Sequence, residues 1–434
     1  MQEVSADEAA TYIRDTDALA VPLGPGQPAA FLHALGEREA FDRLDVFAAL
    51  LVDLFPLFTR PGVGLRSGFY GPVERALRDA GHNVRFVPAD FRRFEIIAER
   101  MASRVMATNA TPPDSDGFCS LSLHAGATVH ELLRCGRDPK RLLVVEANPR
   151  LPRTLGLLPD HPHRIHVDDI DLLLHSEREP ITLPDAKATD IEQAIAEHAA
   201  RFVPSGATLQ TGIGGVPNAV AGILAEGDGS DYGAHSEMFT DGLMKLHRAG
   251  KITNARKGLH DGVSICTFAM GTRELYDWLD GEGRELVRFL PIDDVNDPSI
   301  IARNRALVSI NGALSVDLLG QVVADEIGGR QYSGIGGHED FVTGAAFSEG
   351  GRSLICLPSQ ARGDGGPVSR VVASFTPGTS VTTPRHQVDV VITEYGVAEL
   401  QGLSIRERAL ALAAIGHPDF RDDLHAVAEV WPSD

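Results

Sequence analysis

The sequence is poor in several features that would betray its chemistry at a glance. Four cysteines, Cys119, Cys135, Cys266 and Cys356, are scattered with no CxxC pair. That excludes a disulfide framework and the common thiolate zinc sites, and leaves buried thiols of a reducing compartment. Positive charge is scarce: 40 Lys and Arg stand against 60 Asp and Glu, a formal net charge of −20. A polyanion would be repelled by such a surface, so neither nucleic acid nor an anionic membrane is an expected partner. A small anion held in a local basic or amide-lined pocket stays compatible with it. Apolar runs such as ALALAAI (409–415) fall far short of the roughly 20 residues needed to span a bilayer. The acidic start MQEVSADEAATYIRD has no charged-then-apolar signal pattern, so a cytoplasmic location is expected. There is no GxSxG nucleophile elbow and no GxxxxGK[ST] phosphate loop, which removes serine-hydrolase and P-loop chemistry.

Glycine, by contrast, is abundant at 44 residues, much of it in short clusters that imply tight turns and loops approaching a ligand. At 434 residues, 43% hydrophobic and 23% charged, the chain is an ordinary globular composition too long for one core. SADEAATYIRD opens like a helix capped by Ser5. ALAVPLGPGQPAAFLHAL (18–35) then reads as strand, glycine turn and helix. The same order recurs as the helix DIEQAIAEHAARFV (190–203) followed by ATLQTGIGGVPNAVAGIL (207–224). Gly24, Gly26 and Pro28 echo Gly212, Gly214 and Pro217, which predicts two related α/β halves. REPITLPDAKATD (178–190) is the expected linker, with domains at 1–184 and 185–434. RLLVVEANP (141–149), ALVSINGAL (306–314), SLICLP (353–358) and VDVVITEYG (388–396) read as buried strands of parallel or mixed sheets.

One stretch raises a chemical question. YGAHSEMFTDGLMKL (232–246) brackets Glu237 with small and apolar residues. A carboxylate kept from water needs partners or has work to do. Two glycine loops lie on either side of it in sequence. TGIGGVPNAV (211–220) places backbone amides where a phosphate or oxyanion can approach, although Pro217 at or beside the third glycine position counts against a dinucleotide fold. A purely structural turn is its plain alternative. SGIGGHEDF (333–341) repeats the glycine pattern with Gly334, Gly336 and Gly337, and Asp340 is placed to cap the next element. Together the loops offer amides that converge on one reacting carbonyl. HPHRIHVDDID (161–171) has the spacing of a metal site at His161, His163 and His166, but no HExxH accompanies it, and a solvated or subunit-facing loop is the preferred reading. No metal is expected. Asp241, before Gly242, is the rival carboxylate and is read as a cap. Asp317 and Ser315 share a face if 313–318 is a strand, lining a pocket or anchoring a loop.

LVVEANPRLPRTLG (143–156), IHVDDID, GIGGVPNAV, HSEMFTDG (235–242), GQVVADEIGGRQYSGIGGHEDF (320–341) and VITEYGVAELQG (391–402) together resemble the acetyl-CoA hydrolase/transferase family of coenzyme A transferases, in particular its 4-hydroxybutyrate and butyrate-type members. The resemblance runs over nearly the whole chain. It implies two related open α/β domains with the active site between them, Glu237 as nucleophile, and coenzyme A contacts from Gly214, Gly215, Val216, Pro217 and Asn218. It places Leu314, Ser315, Gly336 and Gly337 at the same site. The family often has a glutamate where Ser315 stands, so a charge near the expected thioester is missing and the carboxylate preference stays open. GFCSLSLHAGAT (117–128), with His124, matches the family only loosely. The implied function is transfer of coenzyme A from an acyl-CoA to a short-chain acid through a glutamyl-CoA thioester. An acyl-CoA hydrolase and a silent acyl-CoA-binding protein are the alternatives. Acyl-CoA and small acids are the expected partners, no prosthetic group is needed, and a homodimer or homotetramer is implied.

Overall fold

The computed structural model describes residues 1–184, 187–363 and 365–431. Asp185 and Ala186 of the expected linker, the start of the second predicted domain included, lie outside the described residues. The chain forms two compact units, one of Met1–Pro184 with Ile265–Val295, the other of Asp185–Ser264 with Asn296–Asp434. Residues 265–295 therefore belong with the first unit, whereas the sequence places them in the second half. Backbone bonds explain the return: Ala125 N–H donates to Thr267 O at 2.7 Å, and Phe289 N–H to Leu155 O at 2.9 Å. Such pairings have no local sequence signature.

The first unit is built on eight strands: β1 (Gln2–Glu3), β2 (Thr16–Ala20), β3 (Arg43–Ala48), β4 (Val63–Ser67), β5 (Val84–Phe86), β6 (Val105–Ala110), β7 (Leu142–Ala147) and β8 (Leu172–His175). They pair in the order β1-β8-β7-β6-β2-β3-β4-β5, with every pairing parallel. Every residue of β6 and β7 is buried, as central strands covered on both faces require. Ser5 caps the first helix by accepting from Glu8 N–H at 3.1 Å. After β2, Gly24–Gly26 form a 3₁₀ turn that leads into α1 (Ala29–Gly36). Leu19, Phe31, Leu32, Leu44 and Val144 are among the residues of the core beneath it.

The second unit repeats that opening. Thr189 caps α2 (Asp190–Ala200) with Glu192 in a reciprocal box. β9 (Thr208–Thr211) comes next, then a glycine turn and α3 (Gly215–Glu226). β10 (Gly233–Ala234), β11 (Leu307–Gly312), β12 (Arg352–Cys356), β13 (Val390–Thr393) and β14 (Gly396–Glu399) complete a sheet ordered β10-β9-β11-β12-β13-β14. Only the last pair is antiparallel. A core including Ile355, Val391, Leu412 and Leu424 anchors the two C-terminal helices, Ile405–Ala414 and Pro418–Glu429. The four strands read from sequence at 141–149, 306–314, 353–358 and 388–396 are β7, β11, β12 and β13. No helix among the described residues is long and apolar enough to cross a membrane.

Candidate active site

Ligands of open parallel sheets bind beyond the carboxyl ends of the strands. In the second unit three neighbouring strands, β10, β9 and β11, end side by side. Glu237 lies just past β10, the 212–218 loop just past β9, and Leu314 and Ser315 just past β11. Ser236, wholly buried, ties the first two together. Its Oγ accepts from Thr211 N–H at 3.3 Å and donates to Thr211 O at 3.0 Å. The backbone before Glu237 is thus bonded to the strand end that feeds the glycine turn.

Glu237 is half-buried. Its Oε2 accepts from Asn296 Nδ2 at 2.8 Å, and the Gly337 amide also bonds the carboxylate. The second hydrogen of the same Asn296 nitrogen goes to Asp340 Oδ2 at 3.0 Å. Asn296 and Asp340 are both fully buried. Loss of water and the neighbouring Asp340 charge outweigh the two donors, so the Glu237 carboxyl is pushed up to about 8. Phe239 is buried and Met238 half-buried beside it, the apolar bracket visible in the sequence.

The second glycine loop reaches Glu237 through α5 (His338–Phe347), whose N-cap is Gly337. A Cβ on Gly337 would overlap Glu237 Oε2 and stand 2.5 Å from Asn296 Nδ2. Glycine is required there by close approach. Gly336 has φ +58, a backbone form that suits glycine. Gly214 has φ +120 at the N-cap of α3, and nothing lies within 4 Å of where its Cβ would be. Gly215, Val216, Pro217 and Asn218 form the first turn, where a proline's missing N–H costs nothing. Gly215 instead packs directly on the Glu192 carboxylate. Leu314 and Ser315 are half-buried, and Leu314 N–H donates to Val323 O at 2.8 Å.

Several expectations are corrected. Asp340 does not cap the helix after SGIGG; it is the third residue of α5 and holds Asn296. Asp241 is the first residue of α4 (Asp241–Arg248), and Thr240 takes the N-cap position. For Asp317 the loop-anchoring alternative is the one found: it accepts from Leu319 N–H, Gln321 N–H and Gln321 Nε2 at 3.0, 2.8 and 2.7 Å. In the first unit His124 is buried against Thr108 Oγ1 at 2.9 Å and held down at about 4 by loss of water. It packs under Gly26, where a Cβ would come within 2.5 Å of the ring. His163 stacks on Phe289 at 5.0 Å. Among the described residues the group whose ligand atoms gather within 4.8 Å is Glu95, His130 and Asp293. Arg134 stands 3.7 Å from Glu95 there. Asn296 has no local sequence signature: VNDP carries no motif, and its place at the carboxylate depends on a contact 59 positions away.

The C-terminal domain model of the acetyl-CoA hydrolase/transferase family matches residues 271–428. The chain is 40% identical over 326 residues to the 4-hydroxybutyrate coenzyme A transferase of Clostridium kluyveri, covering 75% of this chain and 72% of that protein. It is 35% identical over 425 residues to the succinyl-CoA:cyclohexane-1-carboxylate CoA transferase of Geobacter metallireducens, covering 97% and 93%. The crystal structure of RipA from Yersinia pestis superposes with a TM-score of 0.88 at 34% identity, over 99% of this chain and 97% of that one. The crystal structure of 4-hydroxybutyrate CoA-transferase from Porphyromonas gingivalis superposes with a TM-score of 0.78 at 30% identity, over 98% of this chain and 96% of that one, so the α/β fold is that of a coenzyme A transferase. The chain belongs to the acetyl-CoA hydrolase/transferase family and is an enzyme of the coenzyme A transferase class.

Proposed function

We propose that the chain moves coenzyme A from an acyl-CoA to a short-chain carboxylate, such as acetate, butyrate or 4-hydroxybutyrate, with Glu237 as the nucleophile. The observation that carries this is the clamped, poorly hydrated carboxylate at the strand ends, beside an open helix N-terminus. A Glu237 oxygen attacks the thioester carbonyl, the C–S bond breaks, and coenzyme A leaves as thiolate. The thiolate then attacks the Glu237 carbonyl of the mixed anhydride and releases the donor acid as its carboxylate. What remains is a glutamyl-CoA thioester. The acceptor carboxylate attacks that thioester, the thiolate leaves, and its attack on the new acyl carbon returns Glu237 as carboxylate. The scheme is ping-pong covalent catalysis.

Each step passes through a tetrahedral oxyanion. The Gly337 amide and Asn296 Nδ2 already point at the Glu237 carboxylate, and donors of this kind are each worth about 3–4 kcal/mol. Gly214, Gly215, Val216, Pro217 and Asn218 supply a helix N-terminus for the anionic part of coenzyme A, with Leu314, Ser315 and Gly336 at the same edge. No prosthetic group enters the scheme. A cytoplasmic homodimer or homotetramer goes with this reading. The test is an acyl-CoA consumption assay with and without acceptor acid. Transfer predicts turnover that rises many-fold with acceptor and yields its CoA thioester, and Glu237→Ala abolishes it. Acceptor-independent release of free coenzyme A would instead make the chain a hydrolase.

A further inference from the structure

The amide of Asn296 has two ends of nearly equal shape, and a half-turn exchanges its oxygen for its nitrogen. Its Nδ2 faces two carboxylates, Glu237 at 2.8 Å and Asp340 at 3.0 Å. Its Oδ1 is buried without a hydrogen-bond partner among the described residues. The sense of the amide is therefore set on the nitrogen side alone. We propose that Asp340 is a positioning residue, whose carboxylate holds one hydrogen of Asn296 so that the other stays aimed at the oxygens on the Glu237 carboxyl carbon throughout the reaction.

The need arises from the covalent mechanism proposed for Glu237, on which this inference rests. Glu237 is a strong acceptor only while it is a carboxylate. As an anhydride or a thioester it is a weaker one, and by itself would release Asn296 when an oxyanion is about to form. Asp340 does not react, so its hold is constant. Turning the amide over would set Oδ1 against the Asp340 carboxylate, a repulsion in a buried setting. The fold supports a buried negative charge here, since Asp340 is in the first turn of α5, where helix N-terminal amides favour an anion. Among the groups that face Glu237 are Asn296, the Gly337 amide and Asp340; on its own segment the titratable neighbours in sequence are His235 and Asp241. The Asp340 charge also raises the proton affinity of Glu237.

Asp340→Asn keeps the shape and removes both the charge and the one-way acceptor. Its kcat is expected to fall roughly 10- to 100-fold, the scale of a misaligned oxyanion donor, with KM for acyl-CoA within about twofold. The acid limb of kcat/KM moves to lower pH. The Glu237 carboxyl midpoint, followed by infrared difference spectroscopy of ¹³C-glutamate-labelled resting protein, moves down with it. Asp340→Ser, which keeps an acceptor without charge, moves both the same way and serves if the first variant does not fold. Wild-type kcat together with a wild-type midpoint would overturn the role. If the wild-type chain transferred no coenzyme A, the proposed function would fall and this role with it, whereas a transferring wild type beside a variant of unchanged kcat and midpoint overturns the role alone.

Discussion

At the scale of single residues, the site works by placing a carboxylate where it is costly and then fixing what surrounds it. Folded Glu237 holds its proton up to about pH 8, against about 4.5 for an ordinary glutamate. Between those values the folded chain binds more protons than the unfolded one. The contribution to stability is therefore full below 4.5 and is lost as pH rises through 8. Glu237→Gln removes that loss. The variant is expected to be inactive, to match the wild type in stability near pH 4.5, and to exceed it near pH 9 by on the order of a few kcal/mol. Denaturant melts at both pH values check this. Gly337→Ala places a methyl group on Glu237 Oε2. It should lower kcat by about 10²-fold while leaving the melting temperature within a few degrees. A melt lowered far beyond that would mean the glycine serves the fold rather than the site.

At the scale of elements, the glycine turn before α5 brings the Gly337 amide to Glu237, and the turn before α3 follows the strand end to which Ser236 is bonded. Gly215 packs on Glu192, which caps α2 through Thr189 N–H at 2.8 Å. Gly215→Leu should separate α2 from α3, cost roughly 1–3 kcal/mol as an overpacked contact, and raise KM for acyl-CoA more than it lowers kcat. Unchanged KM would detach the 214–218 turn from substrate binding. These turns and the strands that feed them were legible in the sequence because their signals are local: apolar runs, glycines between strand and helix, a cap at Ser5. Glu237 stood out because its apolar neighbours adjoin it in the chain. Asn296 and Asp340 did not, since their meaning comes from three-dimensional neighbours 59 and 103 positions from Glu237 by the numbering, and Asp340 looked like a cap. The 265–295 return into the first unit was illegible for the same reason.

At the scale of the whole molecule, the cysteines of the two α/β units are free thiols. All four cysteines are buried, and burial pushes Cys119 and Cys135 up to about 11 and Cys356 up to about 12. A thiol reagent should therefore label none of them in the native protein and all four after unfolding, and activity should not depend on reductant. Rapid labelling of the native chain would contradict the burial. The central claim is that one carboxylate carries the acyl and coenzyme A groups in turn. It is tested most directly by mixing the protein with acyl-CoA donors, adding borohydride, and examining the peptide that holds Glu237 by mass spectrometry. Reduction of Glu237 to the alcohol is the predicted result, since borohydride reduces a thioester and spares a free carboxylate. An unmodified Glu237 under conditions where coenzyme A is being transferred would contradict the account.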